Sequence, residues 1–337
     1  MTTRSAIIHI GAHKTGTSAI QVRLRQRQAE LRDCNWEILL PPNPRGVPAN
    51  WNHMFQMKGQ EYSLKENVLD RLIQQVDRSE KNIILSSEEL FFLDESEIIN
   101  FCQKIRPLFS NITVIVYLRR QDRMMTAHWE QGARTEQSAN LFLDTDHPFK
   151  NLTPAAYRYL DYANRLSYWK KHLKPLSFII RNYEVADLYR QDSVSDFLQS
   201  TGIALSQRQK EKYVNSGLSS EAVKFIYELR KLGYARPVLK SLINSKLLPH
   251  STTRARAGRV DVVNFMEKFS ESNQKLAAMA DTDSKGGVNL IRTAFKVKNR
   301  SGFFKIDDIS KLPEQSEFPE YTWEQKYKTL VRFHAGV

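Results

Sequence analysis

Short, continuously apolar runs alternate along this chain with longer stretches whose apolar positions recur at helical spacing. The first run, Ala6-Ile7-Ile8-His9-Ile10, is rich in β-branched residues and closes at Gly11. Such side chains are stiff at χ1 and favour strands. Behind it, Ile20, Leu24 and Leu31 fall on one face of a helix. A helix carrying Val68, Leu69, Leu72, Ile73 and Val76 precedes the next run, Asn82-Ile83-Ile84-Leu85, which ends in Ser86-Ser87-Glu88-Glu89. The third run is Ile112 to Leu118, ending in Arg119-Arg120-Gln121-Asp122-Arg123, and the fourth is Leu176 to Ile180, ending in Arg181-Asn182-Tyr183-Glu184. Strands that are apolar throughout and alternate with helices predict a parallel sheet covered on both faces.

Helix punctuation fills the intervals. Thr153-Pro154 reads as an N-cap with proline at the first helical position, opening one helix that turns Leu160, Ala163, Leu166, Trp169 and Leu173 inward. Ser193 to Ser200 is a short helix stopped near Gly202, and Glu221 to Leu232 is another stopped by Gly233. Residues 131–152 and 248–258 read as loops, the second carrying Arg254 and Arg256 with Arg259 just beyond. Loops of that size are often lids or binding loops. Polar and charged residues gather just after each strand, the edge of an open α/β sheet where ligands bind.

Composition adds the partner class. The 337 residues are 41% hydrophobic and 26% charged, ordinary for a folded globular chain. Fifty Lys and Arg against 37 Asp and Glu give +13, which favours an anionic ligand, acceptor or surface. Cys34 and Cys102 predict two free thiols, and no Cys/His cluster has zinc spacing, so no metal is expected. No apolar stretch is long enough for a membrane span, and no leader pattern precedes the first strand. The expected location is the cytoplasm.

The sharpest chemistry lies after the first strand. Gly11-Ala12-His13-Lys14-Thr15-Gly16-Thr17-Ser18 joins a strand to a helix with the Gly-x4-Gly spacing of a P-loop. Backbone N–H groups and the helix N-terminus both point at an anion in such a loop. A nucleotide-hydrolysing P-loop follows its second glycine with lysine, but here Thr17 stands in that place and Lys14 lies inside the loop. A kinase needs its lysine and Mg²⁺ on the β- and γ-phosphates. A sulfuryl donor leaves from a single 5′-phosphate, and one lysine near the bridging oxygen can stabilise the departing charge. The fold class expected is therefore α/β: a P-loop-like three-layer fold with a central parallel sheet, helices on both faces and a helical C-terminal extension. The expected organisation is one domain over 1–337, with a core of about 5–220 and a helical part of about 221–337.

These residues resemble the sulfotransferase family, in a bacterial branch. His13-Lys14-Thr15-Gly16-Thr17-Ser18 is similar to the family's 5′-phosphosulfate loop. Leu118-Arg119-Arg120-Gln121-Asp122-Arg123-Met124-Met125-Thr126 is similar to its second motif, an arginine at a strand end with a hydroxyl residue opening the next helix. The usual Asn-Pro after that arginine is Arg120-Gln121 here, which leaves Arg119 and Arg120 both open. Arg181-Asn182-Tyr183-Glu184 and, more weakly, Asn215-Ser216-Gly217-Leu218-Ser219 also look similar, so the likeness covers roughly residues 5–220.

The resemblance implies transfer of a sulfuryl group from 3′-phosphoadenosine 5′-phosphosulfate (PAPS), without metal, leaving 3′,5′-ADP. His13, Lys14, Thr15, Gly16, Thr17 and Ser18 would hold the 5′ end, Arg119 and Thr126 the 3′-phosphate, and Arg181 would touch the nucleotide. Lys14 would meet the leaving oxygen. The general base would be Glu88, with His53 the runner-up and Glu89 a further choice. The implied acceptor is a carbohydrate or glycolipid, Trp51, Trp129 and Trp169 being suited to sugar stacking and any membrane contact being peripheral. The rival expectations are a P-loop kinase and a basic nucleotide- or nucleic-acid-binding protein. No nucleic-acid motif supports the last, and nucleic acid is not expected as a partner.

Overall fold

The computed structural model describes residues 4–39, 55–58, 61–134, 147–150, 152–205, 217–245, 247–248, 250–251, 257–283 and 322–334. The strands are β1 (Ser5–Ile10), β2 (Trp36–Ile38), β3 (Phe55–Lys58), β4 (Glu61–Leu64), β5 (Asn82–Ser87), β6 (Asn111–Leu118), β7 (Ser177–Asn182), β8 (Gly217–Leu218) and β9 (His250–Ser251). The helices up to β7 are α1 (Thr17–Gln26), α2 (Gln28–Asp33), α3 (Val68–Asp77), α4 (Glu95–Ile105), α5 (Gln121–Gly132), α6 (Pro154–Leu160) and α7 (Tyr162–Leu173). After it come α8 (Ser193–Thr201), α9 (Ser220–Lys231), α10 (Arg236–Asn244), α11 (Arg259–Glu267), α12 (Ser270–Asp283) and α13 (Trp323–His334).

The fold is α/β, around a five-stranded sheet of order β2-β5-β1-β6-β7 in which every pairing is parallel. The predicted strands are its four central and outer members, and the sequence missed β2, a three-residue edge strand too short to show a pattern. In register, Ile8 sits beside Leu85 and Val114, and His9 beside Ser86 and Ile115. Alternate residues face opposite sides of a sheet. Ile7, Ile84, Ile115 and Tyr117 form one core with Ile20 and Leu24 of α1, Leu31 of α2 and Phe197 of α8. The opposite row, Ile8, Leu85, Val114, Val116 and Ile180, is buried as well, so both faces are covered. Each such side chain removed from water contributes roughly 1.5–3 kcal/mol. Trp169 of α7 is likewise buried, edge-on to Phe101 of α4.

The single helix expected from Thr153 onward is two. Asp161 breaks it and caps the second, accepting from the Asn164 N–H at 3.3 Å and from Ser272 Oγ at 2.7 Å. An aspartate free to bond the backbone favours a cap over a helix interior. Residues 135–146 and 252–256, in the two expected loops, lie outside the described residues, as do Arg254 and Arg256. Arg259 opens α11. Both cysteines are free thiols, Cys34 exposed and Cys102 buried, the latter pushed up to about 12 by burial.

The chain parts into two compact units. The first comprises Met1–Arg120, Arg158–Arg208 and Ser270–Lys305, and holds the parallel sheet. The second comprises Gln121–Tyr157, Gln209–Phe269 and Ile306–Val337. Its core stacks Trp129 on Tyr227 with ring centroids 6.0 Å apart, and the Tyr227 hydroxyl donates to the Trp129 carbonyl at 3.1 Å. Phe149 stacks on Phe265 at 4.6 Å, and Lys326 of α13 pairs with Glu228 of α9 at 2.5 Å. Among the described residues no helix is long and apolar enough to cross a membrane.

Candidate functional site

The strand order puts β1 between β5 and β6, the point where successive connections run to opposite sides of the first strand. Ligands bind outside the carboxyl ends of the strands at such a switch. The loop after β1, the pair Glu88-Glu89 after β5, Arg119 after β6 and Tyr183 after β7 all stand on that edge, and all belong to the first unit.

The loop is shaped by two left-handed residues, Lys14 at φ 61° and Gly16 at φ 77°. Thr15 ties it internally, its hydroxyl donating to the Ala12 carbonyl at 2.6 Å. Buried Tyr159 ties it externally, its hydroxyl accepting from the His13 N–H at 2.9 Å. Gly16 is a point of close approach. A Cβ there would lie 2.8 Å from Ser193 Oγ and 3.0 Å from Tyr183 Cε2. At Gly11 a Cβ would meet Thr17 Oγ1 at 2.5 Å, so the Thr17 side chain covers that glycine.

What remains is an anion cradle. The amides of Thr15, Gly16, Thr17 and Ser18 have no hydrogen-bond partner among the described residues. Buried Thr17 Oγ1 also lacks one there. First-turn amides carry the positive end of the helix dipole. A buried hydroxyl without a partner costs free energy unless a ligand or water satisfies it. The Lys14 side chain is exposed.

Beside the cradle, one ligating atom each of His13, Glu88 and Glu89 lie within 4.8 Å of one another. His13 packs against Phe92 at 4.7 Å, and burial lowers its imidazole pKa, with Glu88 opposing and Lys14 adding to the effect. Glu89 is buried and is pushed up to about 8, chiefly by burial and next by Glu88; the Ser87 hydroxyl, donating at 3.2 Å, pulls the other way. Glu88 is half-buried.

Beneath the loop, His9 is fully buried, with Nδ1 2.8 Å from Ser86 Oγ, and burial lowers its imidazole to about 3. Gln21 of α1 donates to the same hydroxyl at 3.2 Å, so α1 and β5 are joined under the cradle.

Arg119 reaches over the Tyr183 ring, with Cζ 5.7 Å from the centroid, and the same tyrosine abuts Gly16. Arg120 is buried. Arg181, expected to touch the nucleotide, is committed elsewhere. Its guanidinium is buried in an ion pair with Asp196, Nε donating to Oδ1 at 2.9 Å and Nη2 to Oδ2. Nη2 donates also to the Asp187 carbonyl at 3.3 Å, so both its hydrogens are taken and the Nε–Nη2 edge is filled.

Thr126 lies in the second unit, where its hydroxyl donates to the Asp122 carbonyl one turn back at 2.9 Å. The sugar-stacking expectation fails for Trp129 and Trp169, which are core residues with 0% and 1% exposure. Trp51 and His53 lie outside the described residues. The sequence missed Tyr159 and Ser193. Tyr159 sits 146 residues from the amide it holds, and no local pattern reports a contact of that separation.

No protein-family model matches this chain. An uncharacterized protein of Archaeoglobus fulgidus is 24% identical over 262 residues, which is 74% of this chain and 65% of that relative's length. The crystal structure of a sulfotransferase from Alicyclobacillus acidocaldarius shares 15% identity, covering 62% of this chain and 87% of that one at a TM-score of 0.38.

Proposed function

We propose that this chain moves a sulfuryl group from PAPS to a hydroxyl acceptor, a carbohydrate or glycolipid. The observation that carries the reading is the cradle: open amides at Thr15–Ser18 and an unsatisfied buried Thr17 hydroxyl, beside a carboxylate pair. These groups fit a 5′-phosphosulfate, whose oxygens accept from N–H and O–H donors. Lys14, inside the loop, supplies positive charge where the departing phosphate oxygen gains negative charge. Arg119, over the Tyr183 ring that abuts Gly16, would take the 3′-phosphate. PAPS supplies an activated sulfur and a stable leaving group. The acceptor oxygen gains its bond to sulfur as the bond from sulfur to the phosphate oxygen breaks. The acceptor's proton passes to the carboxylate pair. The formal charge of +13 suits an acceptor that is itself anionic.

Calorimetric titration with 3′,5′-ADP is the decisive experiment. Binding is expected for the parent chain, with Lys14→Ala remaining folded and losing sulfuryl transfer. Tight Mg·ATP binding with no 3′,5′-ADP binding would replace this reading by a kinase. Transfer to a panel of sugars then identifies the acceptor.

A further inference from the structure

We propose that Glu88 and Glu89 hold one proton between them, resident on Glu89 at neutral pH, so that Glu88 is the carboxylate that receives the acceptor's proton and Glu89 is its positioning partner. This rests on the sulfuryl-transfer reading for the role of Glu88, although the shared proton stands on the geometry alone.

The two carboxyl groups follow β5 directly and lie, with His13, within a 4.8 Å cluster. Two carboxylates that close cannot both ionise without mutual repulsion. Their environments differ, which decides where the proton stays. Glu88 is half-buried, while Glu89 is 3% exposed in a short turn packed on β1 and β4. Burial without a cation penalises the charged form of Glu89.

The charged and titratable groups around this turn do not reverse that order. His13 and Lys14 face it from the loop after β1, and Lys14 is exposed. His13 is itself held neutral by burial. Tyr159 of α6 spends its hydroxyl on the His13 amide. Arg165 of α7 directs its guanidinium to the Phe91 and Leu93 carbonyls at 2.8 and 3.1 Å. Strand β4 also packs here. Among the described residues the Ser87 hydroxyl donates to Glu89 at 3.2 Å, and it and the Glu89 backbone amide favour the charged form, but burial outweighs both and pushes this carboxyl up to about 8, as a retained proton requires.

In the transfer step the acceptor O–H bond breaks and its proton joins Glu88; the oxygen's electron pair forms the bond to sulfur as the bond from sulfur to the 5′-phosphate oxygen breaks, its electrons leaving on 3′,5′-ADP. Glu89 keeps its proton throughout, so no second acceptor is needed.

Infrared difference spectra of the parent against Glu89→Gln test the proton directly. A protonated-carboxyl C=O band is expected in the parent at neutral pH, absent from Glu89→Gln and fading with a midpoint of about 8. In Glu88→Gln that midpoint should fall, because the like charge is gone. Glu88→Gln should lose about 10²–10⁴-fold in turnover, a larger loss than Glu89→Gln shows. No band, or equal loss of turnover in both variants, overturns the proposal. Failure of the sulfuryl-transfer reading appears separately, as a parent chain that does not bind 3′,5′-ADP.

Discussion

Removing the Asp196 carboxylate should be among the most damaging single changes in the first unit. Its side chain is 0% exposed and that of Arg181 6%. Asp196 accepts from the Tyr117 hydroxyl at 2.8 Å, from Arg181 Nε at 2.9 Å and from the Tyr189 N–H at 2.8 Å, and Ser200 Oγ lies 3.4 Å away. Asp196→Ala would leave a buried guanidinium without its counter-charge and at least two further donors without an acceptor. Breaking a buried pair from one side costs about 3–5 kcal/mol, and the orphaned donors place this case at the upper end. Asp196→Asn keeps the volume and one acceptor, so it should lose about 3 kcal/mol. Urea denaturation gives the change in midpoint, and hydrogen exchange at the β1 and β6 amides isolates the first unit. The damage should also reach the cradle, because Ser193, at the start of the same helix, packs against Gly16. Affinity for 3′,5′-ADP should therefore fall in the Asn variant even where it remains folded. A loss below about 1 kcal/mol for Asp196→Ala, with an unchanged denaturant slope, would refute the reasoning.

Gly16→Ala should lower both the melting temperature and 3′,5′-ADP affinity. The site combines φ 77° with a 2.8 Å clash against Ser193 Oγ, and the backbone alone costs roughly 1–2 kcal/mol. His9 should make the chain acid-sensitive. Its folded pKa of about 3 lies below the ordinary 6.5, so the unfolded chain binds the proton first and stability falls as pH drops from 6.5 towards 3. The full interval is worth about 5 kcal/mol, and His9→Asn should flatten that limb of a urea-midpoint profile. Glu89 acts in the opposite sense. The folded chain keeps a proton that the unfolded chain has released, so stability falls as pH rises from 4.5 to about 8 and then levels, by at most about 5 kcal/mol. Glu89→Gln should remove that slope.

The parallel sheet was legible because β1, β5, β6 and β7 are apolar on both faces, a pattern that a one-sided sheet does not produce. The glycine loop was legible because its chemistry is local, with spacing, lysine and hydroxyls inside eight residues. Arg181 shows where local reading ends. In sequence it is an arginine at a strand end like Arg119, and only the fold reveals that Asp196, one helix later, consumes it. Between Glu88 and Glu89 the sequence offers only nearness to the strand end, whereas the fold separates them by burial, Glu88 half-buried and Glu89 buried. The tryptophans failed for a related reason. A large aromatic suits a sugar face or a core equally well, and Trp129 and Trp169 are both core.

Lys14 occupies a left-handed backbone conformation in which a β-carbon is unwelcome. Glycine would sit there more comfortably, and asparagine nearly so. Selection for robustness alone would therefore erode this lysine, and under the proposed sulfuryl transfer durability and chemistry pull apart at this position. A library screened only for heat resistance should discard residue 14 early, while one screened for turnover should never let it go.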